Sequence, residues 1–547
     1  MSSIITSTLS GMNAVQESIN YTANHIKSPQ YNNENQISIE NNIDPHDLNP
    51  GVQSKQVYDE YLDFLKTEEQ QNNTKISAQK TKISQLNKLE NLLREKSTLF
   101  NKTINDLYNQ IEQDIVIKHH THINDTIEDK LASIIVEMRD FDKKMTALET
   151  ETKNAIQSNI NQINEILNQI QEANVQLACF PDDVMTKKKK ITLEKREKLE
   201  IALQTIIDAR VLKNNKEYKI ALSDGKYLIN NKNKTNLISI ISQNDPQYIS
   251  VAYQNENSTN SLIDIIEPVI TSGSLGALLK FSKEDLYNTR NKIGQLSLNC
   301  LDSVNSYHML GYDQDGELGE KIFQWDNPEV ISTHASAPSE LVSAMWSSSS
   351  KAKSSDYEVT FKGDTWTVKR LLDNQDIKPT EKKKKNEYPL TCLEFDGITL
   401  NIKSRPKDGD LYEIRPYNKI FNKLRITIKK NSPFAFSSTK DKNQLNYNNA
   451  LIMKKLNKDW LVNQSETLDE SYKNYTKSVV HKRHILEENL KFKEKLKDVF
   501  IEKKKSMANN IETDYKTLSY QQKCYIAHTK VLKMAEKILN ELLSVSH

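Results

Sequence analysis

Apolar residues recur every seven positions at both ends of this chain, and that repetition constrains the fold more than any other feature. Towards the N-terminal end Ile5, Met12, Ile19 and Ile26 are spaced by seven, with Leu9, Val15 and Ala23 on the same side. At the other end Ile511, Leu518, Tyr525, Leu532 and Leu539 repeat the interval. Val531, Ile538 and Val545 make an adjoining stripe, with Ala535 and Leu542 beside it. Such a period lays one apolar stripe along an α-helix, so long amphipathic helices are expected over 3–27 and 511–545. Alone, such a helix is marginal in water, because nucleation is costly and the stripe lacks a partner. Pairing the two ends would bury both seams, at roughly 1.5–3 kcal/mol for each Leu or Ile side chain removed from water. Periodicity by itself serves an ordinary helical hairpin within one globular domain equally well.

Between these ends the pattern changes several times. Ser28-Pro29 stops the first helix, because proline disfavours a helical conformation at the preceding residue. The Asn-rich stretch 30–50, closing on Asp44-Pro45 and Asn49-Pro50, reads as a linker or loose loop. Leu86, Leu93, Phe100 and Leu107 then carry a heptad stripe through a long helix. Ile156, Ile160, Ile163, Leu167 and Ile170 alternate steps of four and three, the spacing of a coiled-coil seam. The run Lys187–Lys190 is expected to be a solvated loop. Over 215–255 the period shortens to two: Tyr218, Ile220 and Leu222, a turn at Asp224-Gly225, then Tyr227 and Ile229 predict a β-hairpin. Helix returns over 275–308 with Leu279, Leu286, Ile293, Cys300 and Tyr307 at sevens. Residues 327–435 predict a β-rich part. There Tyr357, Val359 and Phe361 turn at Gly363-Asp364 into Trp366 and Val368, and Leu393 and Phe395 turn at Asp396-Gly397 into Ile398, Leu400 and Ile402. Lys382–Lys385 between these hairpins reads as an exposed loop, and 445–505 as helix again. The expected fold is mainly α with an inserted β-rich domain.

Composition narrows the function by exclusion. The 75 basic and 73 acidic residues leave a formal charge of +2, so nothing argues for a polyanion partner such as nucleic acid. Only 12 of 547 residues are glycine, and no GxxxxGK[ST], GxGxxG or GxSxG motif occurs, so a phosphate-cradling loop is not expected. Cys179, Cys300, Cys392 and Cys524 form no CxxC pair, leaving one long-range disulfide open. His119, His120 and His122 are the only histidine cluster and lack a carboxylate or thiol at ligand spacing. Asp313-Gln314-Asp315-Gly316 resembles the start of a calcium loop, but its twelfth position falls on Asn327, so a plain turn is expected. No 18-residue apolar run and no secretory signal pattern is present; export, if it occurs, uses another route. No catalytic residue, metal site, cofactor or membrane insertion is therefore expected.

Particular residues add a resemblance. Ser2-Ser3-Ile4-Ile5, Leu9-Ser10-Gly11-Met12-Asn13-Ala14 and Ala23-Asn24-His25-Ile26 resemble the N-terminal signature of the flagellar axial family of rod, hook and hook-associated proteins. Val57-Tyr58-Asp59-Glu60-Tyr61, Leu193–Leu199 and above all Gly273-Ser274-Leu275-Gly276-Ala277-Leu278-Leu279, with Leu286, Thr289-Arg290, Gly294-Gln295-Leu296 and Asn305, are similar to the hook-associated members that join hook to filament. Glu512, Tyr515, Leu518, Gln521-Gln522, Tyr525, Ala527, Val531-Leu532, Ala535 and Leu539 resemble that family's terminal helix. The resemblance implies a terminal helical domain of 1–45 with 505–547 lining an inner tube. A long-helix domain of 46–326 with 436–504, and an outer β-rich domain of 327–435, would lie outside it. It further implies self-assembly, the hook protein and a second junction hook-associated protein as neighbours, and export through the flagellar type III route without a cleaved signal. An export chaperone would hold the C-terminal helix. Ile5, Met12, Ile19, Ile26, Ile511, Leu518, Tyr525, Leu532 and Leu539 would then form the assembly interface, and Val531, Ile538 and Leu542 the chaperone contact.

Three other readings compete. An intracellular coiled-coil scaffold needs only the heptads and predicts a soluble homodimer with ordered termini. Another axial protein, such as the hook protein, is disfavoured by the 273–296 segment and the long helical middle. A metal hydrolase would use His119, His120 and His122, and metal analysis of the purified protein tests it.

Overall fold

From Pro50 the chain runs through long helices: α1 (Pro50–Glu95), α2 (Lys102–Ile117), α3 (Ile123–Ala178) and α4 (Lys187–Ile206). The computed structural model describes scattered positions between 12 and 20, most of 50–508, and 525–534 with 537. Chiefly 1–11, 21–49, 118–122, 182–185, 242–248, 255–266, 333–340, 384–390, 442–445, 509–524 and 538–547 lie outside the described residues. Two units divide the chain: Met1–Ile76 with Asn489–His547, and Ser77–Glu488.

Within Ser77–Glu488, α3 supplies the spine. Ile127, Leu131, Ile134, Met138, Phe141, Met145 and Leu148 alternate steps of four and three, and all are buried against Leu86, Leu89 and Leu93 of α1 and Phe100, Ile104 and Leu107. Three successive steps of four, Leu148 to Thr152 to Ile156 to Ile160, interrupt the alternation at Thr152. Its buried hydroxyl donates to the Leu148 carbonyl at 2.8 Å. A four-residue step of this kind rotates the seam on the helix surface, and beyond it the seam meets different partners. Ile156, Ile160, Ile163, Leu167 and Ile170 join Leu203 and Ile206 of α4 and strand residues such as Ile220, Ile229 and Val251. The predicted coiled-coil seam is therefore closed by the chain's own α4 and β-strands.

Those strands are β1 (Arg210–Asn214), β2 (Glu217–Ala221), β3 (Tyr227–Asn230) and β4 (Asn233–Lys234), an antiparallel sheet in that order, with β5 (Leu237–Ile241) and β6 (Ile249–Tyr253) pairing beside it. The predicted hairpin is β2–β3. A register shift between Ile220 and Ala221 leaves Leu228 and Ile229 buried and Tyr227 exposed. Next comes one helical rod: α5 (Gly273–Lys280), a π-helical segment Phe281–Leu286, and α6 (Tyr287–His308).

The β-rich part follows β7 (Phe323–Gln324). It comprises β8 (Glu329–Ser332), β9 (Val342–Trp346), β10 (Tyr357–Lys362), β11 (Thr365–Arg370), β12 (Gln375–Ile377), β13 (Thr380–Lys383), β14 (Thr391–Phe395), β15 (Ile398–Ile402) and β16 (Leu411–Arg415). Two antiparallel sheets, ordered β12-β11-β10-β16-β8 and β13-β14-β15-β9, share one core of alternate residues, among them Tyr357, Val359, Trp366, Val368, Leu393, Leu400, Ile402 and Tyr412. Both predicted hairpins close through two-residue turns with left-handed backbone, Gly363-Asp364 (φ 56° and 59°) and Asp396-Gly397 (39° and 77°), the turn geometry that matches strand twist. β17 (Arg425–Ile426) pairs with β7, and α7 (Asn448–Lys455) and α8 (Leu468–Ala508) return the chain to helix.

Three expectations need correction. The stripe Leu86–Leu107 is not on one helix, because the chain turns between Glu95 and Lys102; its four residues are buried nonetheless, Phe100 and Leu107 reaching the same core from the turn and from α2. Lys187–Lys190 is the first turn of α4 rather than a loop. The Thr186 hydroxyl caps it by accepting from the Lys189 amide at 3.1 Å, and lysine is a good helix former. Lys382 and Lys383 belong to the edge strand β13, where Lys382 meets Glu394 at 2.7 Å; charge on an edge discourages pairing with a foreign strand.

Gly294 of α6 lies against the buried ring of Tyr417, and a Cβ added there would sit 2.5 Å from the Tyr417 Cβ. Gly294→Ala is expected to cost about 1–3 kcal/mol through overpacking. A urea titration following Tyr and Trp fluorescence reads it; an unchanged midpoint would refute the close approach.

Candidate assembly elements

The helical rod 273–308 is tied to its neighbouring elements by buried polar groups. Gly273 starts it in a left-handed conformation (φ 78°), with the Ile206 carbonyl carbon 2.5 Å from where a Cβ would be, so only glycine lets α5 begin against the end of α4. Arg290 is buried and donates to Asp142 at 2.6 Å, to both Glu149 oxygens at 3.0 and 3.1 Å, and to the Thr146 hydroxyl at 3.3 Å, all on α3. The Thr289 and Tyr475 hydroxyls are 2.7 Å apart, joining α6 to α8. Gln295 donates to the Ala352 carbonyl at 2.7 Å. Asn305 donates to the Phe323 carbonyl at 2.8 Å and accepts from the Ile322 and Phe323 amides at 2.9 and 2.8 Å.

Charged pairs brace the same bundle. Asp285, in the π-helical segment, receives Lys82 of α1 and, at 2.6 Å, Lys482 of α8. Glu90 of α1 receives Arg94 at 2.5 Å and Arg483 of α8 at 2.7 Å. Tyr472 donates to the Leu93 carbonyl at 2.7 Å. Apart from Arg94, whose side chain is 64% exposed, these groups satisfy one another within the bundle. Burial raises the Cys300 thiol to about 12, out of the reactive range, and Cys179, Cys300 and Cys392 are free; Cys524 lies outside the described residues. No group of three or more His, Cys, Asp or Glu that could hold a metal occurs among the described residues, and His119, His120 and His122 lie outside them. Asp313 closes a plain turn by accepting from the Asp315 and Glu317 amides at 2.8 and 2.9 Å. No described helix is long and apolar enough to cross a membrane.

The terminal stripes fall in the other unit. Its described core contains Val15, Leu65, Ile76 and Phe500, and the Asn72 side chain of α1 donates to the Lys493 carbonyl of α8 at 2.9 Å. The described positions between 12 and 20 are helical; Met12 and Ile19 are half-buried. Residues 525–534 are helical as well. Tyr525, Val531 and Leu532 are half-buried there, while Ile526 and Met534 are 53% and 55% exposed. Ile5, Ile26, Ile511, Leu518, Ile538, Leu539 and Leu542 lie outside the described residues. Ile526 and Met534 escape the sequence pattern because they stand off the seven-residue stripes, yet they are eight apart and so share a helix face.

His528 sits between these half-buried positions, and burial together with the Lys503 ammonium pushes its imidazole down to about 4. A base depressed in the folded state contributes stability above its ordinary range, near 6.5, and that contribution is lost as the pH falls toward 4. Acid should therefore loosen the packing of 525–534, and His528→Gln should remove that part of the pH dependence. Limited proteolysis between about pH 7 and pH 4.5 checks this; identical acid sensitivity in both proteins would contradict it.

Residues 86–323 match a family described as the flagellar hook-associated protein FlgK helical domain, and 331–416 match the flagellar hook-associated protein 1 D2-like domain. The chain is 40% identical over 545 residues to flagellar hook-associated protein 1 of Buchnera aphidicola subsp. Schizaphis graminum, covering 99% of both chains. The chain belongs to the flagellar hook-associated protein 1 family. Flagellar hook-associated protein 1 of Salmonella typhimurium is 24% identical across the full length of both. The solved flagellar hook junction protein FlgK from Burkholderia pseudomallei shares the fold, with a TM-score of 0.68 at 14% identity over 80% of this chain and 99% of that one.

Members of the hook-associated protein 1 family are structural, and this one is a structural component of the flagellar hook–filament junction, in the extracellular part of the flagellum among hook and other junction proteins. The family excludes the scaffold and hook-protein readings. The rod 273–308, which braces the bundle, lies within the stretch 86–323 that matches the helical-domain family.

Proposed function

We propose that this hook-associated protein 1 family member builds the junction by packing its terminal helices on those of neighbouring copies. In this reading 1–45 with 505–547 form an inner helical domain, 46–326 with 436–504 the long-helix domain around it, and 327–435 the outer β domain. Ile5, Met12, Ile19, Ile26, Ile511, Leu518, Tyr525, Leu532 and Leu539 form the seam between copies. The hook protein lies below and a second hook-associated protein above. Export follows the flagellar type III route, and a chaperone holds Val531, Ile538 and Leu542 beforehand, since a free apolar stripe invites aggregation.

One observation carries the reading: the helix 525–534 keeps Tyr525, Val531 and Leu532 only half-covered and Ile526 and Met534 largely exposed. An apolar helix so placed gains stability when neighbours cover it. Electron microscopy of isolated hooks, labelled for this chain, tests the position. Label confined to the distal hook end is expected; label along the whole hook, or none, overturns the reading.

A further inference from the structure

Two surfaces of the unit Ser77–Glu488 face outward from the networks described above, and their chemistries are complementary. The first is a hairpin between α6 and β7. Tyr312 pairs with Leu318, the Gly319 amide donates to the Gly311 carbonyl at 3.0 Å, and the Asp313 amide to the Glu317 carbonyl at 2.9 Å. Its base is held firmly. The Tyr312 amide donates to the Ser437 carbonyl at 2.8 Å, and the buried His308 ring accepts from the Ala435 amide at 3.0 Å while its Nδ1 donates to the Glu320 carbonyl at 2.7 Å. This rigid base presents Leu310 and Leu318, 68% and 59% exposed, with Asp315, Glu317 and Glu320 exposed around them.

The second surface is a groove of about 480 Å³ lined by Arg94 of α1 and Thr476, Lys477, Val480, His481 and His484 of α8. Arg94, Lys477, His481 and His484 are exposed along it, and Val480 offers a half-buried apolar floor. Glu90 and Glu487 hold Arg94 and His484 in place, at 2.5 and 3.2 Å.

We infer that the acidic, leucine-bearing hairpin of one copy seats in this lysine-bearing groove of the next copy. Leu318 covers Val480, and Glu317 meets Lys477. The two surfaces stand at different levels of the bundle. The Thr289–Tyr475 hydroxyl contact marks the groove's level, and α6 then runs from Thr289 to His308, about 28 Å at 1.5 Å per residue, before the hairpin begins. A contact between two different patches of one chain is head-to-tail and generates a ring or an open helix, which is what a junction of repeated copies requires. The preformed hairpin loses little freedom on docking, and the charges steer the encounter. The contact rests on the junction reading and supplies a second partner surface between copies.

The test uses full chains carrying Glu317→Lys, Lys477→Glu or both, with the amount retained on isolated hooks as readout. All these positions are exposed, and unchanged circular-dichroism melting verifies folding. Each single reversal should reduce retention about ten-fold, and the double reversal should restore at least half of it. Normal retention in both single variants, or a double variant no better than either, overturns the contact. Absence of the unaltered chain from hooks would instead overturn the junction reading itself.

Discussion

Arg290→Met should lower the stability of the Ser77–Glu488 unit by about 3–5 kcal/mol, the largest effect expected from a single side chain. The guanidinium is nearly enclosed, with 6% of its side chain exposed, and it neutralises Asp142 and Glu149, whose side chains are 23% and 13% exposed. Methionine fills the volume but leaves both carboxylates facing an apolar wall. Either they become protonated or water enters, and both responses cost free energy. The effect should shrink when the stranded charges are removed as well. Arg290→Met with Asp142→Asn and Glu149→Gln is therefore expected to recover a large part of the loss, a coupling that independent sites would not show. Thermal melting by circular dichroism reads the single variants and the combined one. Equal additive losses would mean that the triad contributes nothing as a unit.

Leu532→Asp should leave the melting of the Ser77–Glu488 unit unchanged and abolish incorporation at the hook. Leu532 is half-buried on the helix 525–534, between the half-covered Val531 and the exposed Met534. A carboxylate there would have to lose its hydration in an apolar helical seam, which costs several kcal/mol per subunit. In a repeated assembly the same penalty recurs at every copy. Swimming halos and immunoblots of isolated hooks give the outcome. Recovery of the Leu532→Asp variant on hooks at the normal level would remove the terminal seam from the mechanism.

Periodic signals are legible in the sequence wherever the partner is close along the chain. The β10–β11 and β14–β15 hairpins can be read because Gly363-Asp364 and Asp396-Gly397 supply left-handed two-residue turns between alternating residues. The α3 seam is legible as a stripe, but its partners are not. Ile156 to Ile170 meet the helix α4 on one side and strands on the other, and nothing in a 4-3 spacing tells that a sheet covers part of the seam. The turn between Glu95 and Lys102 is hidden because the heptad continues in register across it, with Leu93 and Phe100 both buried. The lysine run at 187–190 misleads because its charge suggests a loop, whereas the cap at Thr186 decides that a helix starts there. The polar braces are beyond reach: Arg290 finds its carboxylates on a helix more than a hundred residues earlier, and no local pattern announces such a pair. The resemblance at Gly273, Arg290, Gly294, Gln295 and Asn305 picks out these bracing positions without giving their partners. On the helix 525–534, the seven-residue stripes take in the half-buried Tyr525, Val531 and Leu532 but not the exposed Ile526 and Met534.

Amide hydrogen exchange across 525–534, compared between the free chain and the chain on isolated hooks, tests most directly whether neighbours close the terminal seam. Opening of a sparsely covered helix is frequent, so the free chain should exchange these amides roughly a hundred-fold faster than the hook-bound chain. Equal protection in both states would mean that the subunit already completes its own seam, and assembly through the terminal helices would be contradicted.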